Sequence, residues 1–273
     1  MKKKPLGRRA ASSCPWSIWT ALHLVVSIAI AMGILGCVAS KAEVSAHPDD
    51  NVGKKENARH RILLTETKRY SQNDEELIIR DFFQDRRGGV FLDVGAGPWK
   101  HHSTTLYLEK HLGWTGVSVD ALKRYRRGYE KHRPGTRFEA YAVTDQSGGT
   151  IPFYVAGDVS STDSTWKDRF RGTRDREPRV VEVPQITLND LLDGLDVQKI
   201  DFLSMDIEGG EKKALAGFDI ARFAPELVCI EMNESERAQS LVPYFESHGY
   251  EMLTFYRAYD RVNRYFARRS ASD

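Results

Sequence analysis

A short apolar run that ends in a glycine-rich turn constrains the fold of this chain most. Val90-Phe91-Leu92 is followed directly by Asp93-Val94-Gly95-Ala96-Gly97. This pattern predicts a buried strand entering a turn where the backbone can approach a ligand closely, because glycine lacks a Cβ atom and tolerates positive φ. A second predicted strand ends at Asp120, close to the roughly 20 residues expected before an acid that binds a ribose. Together the two features indicate a nucleotide-type cofactor site.

The glycine spacing separates two classes of cofactor. The third glycine of a dinucleotide fingerprint would fall at position 100, where the chain has Lys100. S-adenosylmethionine has a ribose and an amino-acid tail but no pyrophosphate, so a two-glycine turn suits it better. An enzyme that binds NAD or a nucleotide sugar is the alternative, and it would require the third glycine to be dispensable.

Composition excludes some function classes. The net charge of the 273 residues is only +2, which gives no support for broad nucleic-acid binding, so no nucleic-acid partner is expected. Of the three cysteines, Cys14, Cys37 and Cys229, only the last lies in the predicted globular part. A disulfide framework or a cysteine-rich zinc site is therefore excluded there. The sequence leaves the oligomeric state open.

The N-terminal part differs in kind from the rest. Residues 1–15 form a basic flank, and residues 16–40 contain no Asp, Glu, Lys or Arg. We expect this segment to be a signal anchor, giving a single-pass membrane protein with a cytoplasmic N-terminus and an extracytoplasmic or lumenal domain. A cleaved signal peptide with secretion and a lipid anchor at Cys37 are the alternatives. Residues 41–61 are predicted to be a polar linker, and residues 62–273 the globular domain.

Helical and strand patterns alternate through the globular part. Repeated β-α-β units predict a largely parallel sheet with right-handed crossovers. The polar, basic stretch from 157 to 179 is expected to be a loop over the site or a disordered insertion. Strands are predicted at 90–92, 116–119, 138–143, 200–205 and 227–230, and a closing hairpin at 252–255 and 262–266.

A second group of acidic residues follows a predicted central strand, in Ser204-Met205-Asp206-Ile207-Glu208-Gly209-Gly210-Glu211. Ligands bind at the carboxyl edge of open α/β sheets, so we expect Asp206 and Glu208 to border the cleft that holds the glycine turn. Glu211 falls in the first turn of a predicted helix, where the helix dipole alone also favours an acid. Glu231, at the end of the next strand, is a further candidate at this edge.

Six sequence blocks follow one another along the chain. They are Tyr70-Ser71-Gln72-Asn73-Asp74-Glu75, Phe91 to Gly97, Leu106-Tyr107-Leu108-Glu109-Lys110, Leu112-Gly113-Trp114-Thr115-Gly116, Ile186-Thr187-Leu188 and Ile200 to Glu211. This ordered set resembles the FkbM-type methyltransferases over roughly Tyr70 to Tyr250. The resemblance implies a class I S-adenosylmethionine-dependent fold, with a Rossmann-like, seven-stranded, mostly parallel sheet and an antiparallel last strand. It also implies O-methylation of a sugar, a glycan or another small hydroxylated metabolite.

The resemblance also implies roles for the residues of the cofactor side. Asp93, Gly95 and Gly97 would line the methionine end of S-adenosylmethionine. Asp120 would bind the ribose, and Asp145 would lie near the adenine.

A hydroxyl acceptor must lose a proton, and we expect Asp206 to be the base while Glu208 orients the acceptor. His101 and His102 are alternative bases, because the ordinary pKa of histidine is close to neutrality. A divalent ion shared by Asp206 and Glu208 is a further alternative, but two carboxylates do not specify a metal, so no metal ligand is predicted. The residues predicted to bind the acceptor are His101, His102, Glu211 and Glu231.

A competing interpretation is a membrane-tethered binding module that keeps the same fold without its chemistry. Its basis is the predicted topology, because the methyl donor is made in the cytosol and the domain is expected on the other side of the membrane.

Overall fold

A seven-stranded sheet forms the centre of the structure. The structure is a computed structural model, and it describes residues 58–165, 179–232 and 235–269. All of these residues belong to one unit, Ala46–Asp273. The strands are β1 Val90–Val94, β2 Thr115–Val119, β3 Thr136–Glu139, β4 Ala142–Val143, β5 Thr150–Val155, β6 Arg179–Ile186, β7 Phe202–Met205, β8 Leu227–Glu231, β9 Tyr250–Met252 and β10 Asn263–Arg268.

Short helices connect these strands. The α-helices are α1 Arg61–Thr65, α2 Glu75–Phe83, α3 Leu106–Leu112, α4 Arg126–His132, α5 Leu188–Gly194, α6 Glu211–Ala216, α7 Ile220–Phe223 and α8 Ser235–Ser247. Single 3-10 turns occupy Lys123–Tyr125, Gly157–Val159 and Thr254–Ala258.

The strand order of the large sheet is β3-β2-β1-β7-β8-β10-β9. The pairs from β3 to β8 are parallel, whereas β10 runs antiparallel to both of its neighbours. The expected mixed α/β fold, with seven strands and a reversed last strand, is therefore confirmed. A separate three-stranded sheet has the order β4-β6-β5.

The strand predicted at 138–143 is wrong as a single element. The chain leaves the large sheet after Glu139, and Ala142 and Val143 pair with Gln185 and Ile186 of β6 instead. The break depends on the position of β6, about forty residues further along the chain, so local hydrophobicity does not report it.

Helices cover both faces of the large sheet, so its central strands are buried on each side. Leu92 and Val94 of β1 face the larger cluster of buried apolar residues, and Phe91 faces the second cluster. This alternation along β1 fixes its register between β2 and β7, because a slip by one residue would exchange the two faces.

The start of α2 has no side-chain cap at its N-cap position. Asp74, at the N-cap position, makes no side-chain capping bond. The carboxylate of Glu76 instead accepts hydrogen bonds from the backbone N–H groups of Arg69 and Tyr70, at 3.1 Å and 3.0 Å. The acid therefore holds the preceding loop against the helix.

Within the described ranges, no helix is long and apolar enough to cross a bilayer. The predicted signal anchor at 16–40 lies outside these ranges.

The turns after β1 and β7 approach each other closely. The backbone N–H of Asp206 donates to the carbonyl of Val94 at 2.9 Å. A Cβ atom added to Gly95 would lie 1.8 Å from the carbonyl oxygen of Asp206, and the φ angle of Gly95 is +83°. Only glycine fits between the two turns without displacing one of them.

We expect Gly95→Ala to lower the free energy of unfolding by about 3 kcal/mol or more, because backbone strain and overpacking add. Gly97→Ala is the matched control, since φ is +60° there but a Cβ atom would meet nothing within 4 Å. Strain alone should cost about 1–2 kcal/mol at Gly97. Chemical denaturation of the two variants measures the difference, and equal losses would contradict the close approach at Gly95.

Candidate active site

The carboxyl edge of the parallel strands opens into one cleft. It brings together most of the residues predicted from the sequence, on both the cofactor side and the acceptor side. Those that line it are Asp93, Gly95, Gly97, His101, His102, Asp120, Asp206 and Glu208.

Three predicted site residues are not among those lining the cleft. Asp145 is exposed, two residues beyond the end of β4. Glu211 is buried beneath the turn that follows β7, and Glu231 is buried at the end of β8. Their assignments to adenine and acceptor stay predictions.

Asp93 is a buried acid at the end of β1. Its carboxylate is only 5% exposed, and Oδ2 accepts a hydrogen bond from the Thr105 hydroxyl at 2.7 Å. Burial raises the pKa of Asp93, while the Thr105 hydrogen bond and the charge of Arg133 oppose that rise. The carboxylate therefore depends on these two neighbours to stay ionised.

Asp120 is held by backbone donors. Oδ2 accepts from the N–H of Gly97 at 3.0 Å, and Oδ1 accepts from the N–H of Leu122 at 2.7 Å. Burial raises the pKa of Asp120 to about 6 despite these bonds. The carboxylate thus ties the glycine turn to the end of β2 and keeps a defined orientation in the cleft.

An apolar wall continues the cleft beyond Asp120. It consists of side chains from the segment after β2, from β4 with the residue before it, and from β5. These are Ala121, Leu122, Tyr141, Ala142, Val143 and Phe153. Such a wall suits a flat, largely apolar group of a ligand.

Acidic side chains converge on the opposite side of the cleft. Carboxylate oxygens of Asp206, Glu208 and Glu231 lie within 4.8 Å of one another. Glu75 of α2 also reaches the cleft and is 6% exposed. Its Oε1 accepts from Asn263, and no group in the described ranges bonds its Oε2. Divalent cations bind such oxygens, but acidic clusters also occur without an ion, so this cluster alone assigns none.

Asp206 is exposed to the water of the cleft, and the surrounding protein desolvates its carboxylate in part. Burial is the largest cause that raises its pKa well above the usual range, and the charges of Glu231 and Glu208 add to it. Water in the cleft moderates these effects. Asp206 consequently binds a proton more readily than an ordinary aspartate.

Hydrogen bonds fix the turn after β7 from two sides. Glu208 adopts a left-handed conformation with φ of +55°, which is unusual for a residue with a side chain. Its carbonyl accepts from the Ser161 hydroxyl at 2.8 Å. From below, the Glu211 carboxylate accepts from the N–H groups of Ile207 and Gly209, at 3.2 Å and 3.1 Å. Glu211 therefore shapes the turn.

His101 and His102 lie in the exposed segment that follows the glycine turn. Their ring centroids are 3.7 Å apart, and His102 has a φ of +59°. Both residues line the cleft.

Comparison with known proteins identifies the family. The sequence model of the methyltransferase FkbM domain matches residues 93–252, which is more than half of the chain. The chain belongs to the FkbM methyltransferase domain family. The resemblance deduced from the sequence blocks is thereby confirmed. Membership indicates an S-adenosylmethionine-dependent methyltransferase with S-adenosylmethionine as its cofactor.

Solved structures show only distant similarity to the chain. A TehB-like SAM-dependent methyltransferase from Corynebacterium glutamicum is 13% identical, with 82% of this chain and 100% of that chain covered and a TM-score of 0.41. A precorrin-6y C5,15-methyltransferase from Geobacter metallireducens is 12% identical, covering 75% and 92% respectively, with a TM-score of 0.41. A SAM-dependent methyltransferase from Geobacter sulfurreducens, in complex with S-adenosyl-L-homocysteine, is 10% identical, covers 72% of each chain and has a TM-score of 0.36. No curated protein was found to match the sequence significantly.

The cleft of this FkbM-domain protein fits S-adenosylmethionine. A Cβ atom at Gly97 would point into open space in the cleft wall, so the turn leaves room for a ligand beside the backbone. Asp93 offers a carboxylate to an ammonium group, Asp120 offers one to ribose hydroxyls, and the apolar wall offers a surface to adenine.

Several residues in or behind the cleft were not predicted to have a functional role. Glu75 lines the cleft, and it belongs to the first of the family-like blocks. Thr105 and Arg133 carry no motif. Thr105 bonds Asp93, and Arg133 bonds Thr105, so their importance depends on contacts that only the folded chain creates.

We expect the affinity of the protein for S-adenosylmethionine to fall as pH is lowered through about 6. The raised pKa of Asp120 means that its carboxylate takes up a proton in this range, and a protonated acid is a weaker acceptor for ribose hydroxyls. Asp120→Asn should bind about tenfold more weakly near neutral pH and should lose this part of the pH dependence.

Asp196→Asn is the matched control in the same calorimetric titrations. Asp196 is exposed and does not line the cleft, so wild-type affinity is expected. A pH dependence that survives unchanged in Asp120→Asn would argue against ribose binding by Asp120.

Proposed function

We propose that this protein methylates a hydroxyl group of a sugar, a glycan or another small metabolite. The observation that carries the proposal is the position of Asp206, an acid with a raised affinity for protons. It lies in the same cleft as Asp93 and Asp120, on the opposite side from the apolar wall. An acceptor between these two sides would meet a base and a methyl donor together.

S-adenosylmethionine, when bound, supplies a methyl group on a positively charged sulfur. The residues that would hold it are Asp93 and the glycine turn at the methionine end, and Asp120 at the ribose. Much of the rate of such a displacement comes from holding the two reacting groups at short distance in a defined orientation. The turns after β1 and β7 are held by hydrogen bonds on both sides of the cleft, which supports such positioning of the reacting groups.

Asp206 would accept the proton that the acceptor hydroxyl loses. A base works best when its pKa is close to the operating pH, and burial together with Glu231 and Glu208 moves the pKa of Asp206 in that direction. Glu208 would orient the acceptor, since its turn is held by Ser161 and Glu211. His101 and His102 would contact the acceptor at the cleft mouth.

The location proposed for the domain is the extracytoplasmic or lumenal side of a membrane, with residues 16–40 as a signal anchor. The basic flank and the absence of charged residues from 16 to 40 support this topology. Protease added to sealed vesicles whose cytoplasmic face points outward tests it. The domain should be degraded only after permeabilisation, and degradation in the sealed vesicles would contradict the proposed side.

Asp206→Asn should bind S-adenosylmethionine with near wild-type affinity while its turnover falls about 100-fold or more, because general-base catalysis contributes roughly that much. The measurement is transfer of a radiolabelled methyl group to a panel of hydroxylated sugars and glycans. Wild-type turnover should also decrease as pH is lowered, since protonated Asp206 cannot accept the acceptor proton.

Glu208→Gln is the companion variant, and it should raise the KM for the acceptor more than it lowers kcat. Unchanged turnover in Asp206→Asn would exclude Asp206 as the base. Absence of calorimetric S-adenosylmethionine binding by the wild-type protein would contradict the cofactor itself.

A further inference from the structure

A buried arginine lies directly behind the cofactor side of the cleft. The guanidinium of Arg133, which follows α4, is 0% exposed and pairs with the carboxylate of Glu109. It also donates to the carbonyl of Trp99 at 3.3 Å and to the hydroxyl of Ser103 at 3.2 Å. A guanidinium stays charged in proteins, so a permanent cation is held in the interior beneath the glycine turn.

Arg133 reaches Asp93 through one intermediate hydroxyl. Its Nη2 donates to Oγ1 of Thr105 at 3.1 Å, and the same Oγ1 donates to Oδ2 of Asp93 at 2.7 Å. Thr105 is completely buried. A hydroxyl has one proton, so accepting from the guanidinium leaves that proton for the carboxylate and fixes the direction of both bonds.

We infer that Arg133 is a positioning residue of the cofactor site, acting through Thr105 to keep Asp93 ionised and oriented toward the ammonium group of S-adenosylmethionine. This inference rests on the predicted contact of Asp93 with the cofactor, and it is independent of the acceptor and of the base proposed above.

The surroundings of Asp93 show why a cation behind it is needed. Tyr129 of α4 and Arg133 face it from one side, and Asp120 lies at the end of the neighbouring β2. Asp206 follows β7 on the other side of β1. Burial disfavours the ionised form of Asp93, and the hydrogen bond from Thr105 and the charge of Arg133 oppose this effect.

The bonding pattern also explains the direction of the carboxylate. One oxygen of Asp93 is occupied by Thr105, and no group in the described ranges bonds the other. Asp93 lines the cleft, so the second oxygen is the one left for a ligand. Losing the Thr105 bond would free the side chain to rotate as well as raise its proton affinity.

The contacts from Arg133 through Thr105 to Asp93 are called the relay below. The test uses full-chain variants of Thr105 and Arg133. Thr105→Val removes the hydroxyl at nearly constant shape, and Arg133→Met removes the charge. Thr105→Ser and Arg133→Lys are the conservative variants. Arg80→Met is the matched control, because Arg80 is also a buried, ion-paired arginine, 4% exposed. Its guanidinium donates to Asp85 and not to Thr105.

Two readouts are measured for each folded variant. Carbon-13 NMR follows the titration of the Asp93 carboxyl without any ligand, and calorimetry follows S-adenosylmethionine affinity as a function of pH. Thr105→Val and Arg133→Met should raise the pKa of Asp93 and weaken binding about tenfold near neutral pH. Because the loss comes from protonation, part of the affinity should return as pH is raised.

Thr105→Ser should restore binding, Arg133→Lys should restore it in part, and Arg80→Met should behave as wild type.

An unchanged Asp93 titration in Thr105→Val and Arg133→Met would overturn the relay, as would wild-type affinity in both. Weakened binding of equal size in Arg80→Met would also overturn it, because general destabilisation would then explain the loss. A wild-type protein that binds S-adenosylmethionine but methylates no hydroxyl would contradict the proposed acceptor chemistry and leave these predictions in force.

Discussion

The parallel pairing of β1 with both β2 and β7 is the constraint on which the site depends. Asp93 is in register with Ser118 on one side and Ser204 on the other. Each strand therefore ends at the same edge, and Asp120 and Asp206, each two residues further along the chain, line one cleft. The apolar alternation of β1 fixes this register, so the packing of the core also sets the spacing of the acids.

Carboxylates that lie close together at one edge repel one another, and burial adds to the cost of each charge. The groups that offset this cost differ from one acid to the next. Asp120 is compensated by two backbone N–H groups, and Asp93 by a hydroxyl with a buried guanidinium behind it. Asp206 stands among other carboxylates and faces the open cleft. Burial raises the pKa of all three acids. The neighbouring donors oppose this rise at Asp93 and Asp120, whereas the neighbouring carboxylates add to it at Asp206.

Sequence patterns predicted the elements that depend on interactions between residues close together in the chain. The strand at β1, its glycine turn and the acid after β7 all follow from apolar runs and turn residues, because burial and backbone freedom act over a few residues. The division of 138–143 into β3 and β4 was missed, since it depends on pairing with the distant β6. Arg133 was missed for a similar reason, because it ends a basic segment that looks like a solvated helix face and only tertiary packing buries it.

The two sides of the cleft have different structural origins, and this has consequences for specificity. The cofactor side is built from strand ends and the buried network behind them, which the fold itself determines. The proposed acceptor side is built partly from the segment after the glycine turn and from the loop at residues 157–162 that follows β5. Ser161 of that loop bonds the backbone of Glu208, so the loop also helps to position the turn that carries Asp206. A change in this loop would therefore alter the acceptor pocket and the placement of the proposed base together, whereas the cofactor contacts, held by Thr105 and the backbone, would stay in place.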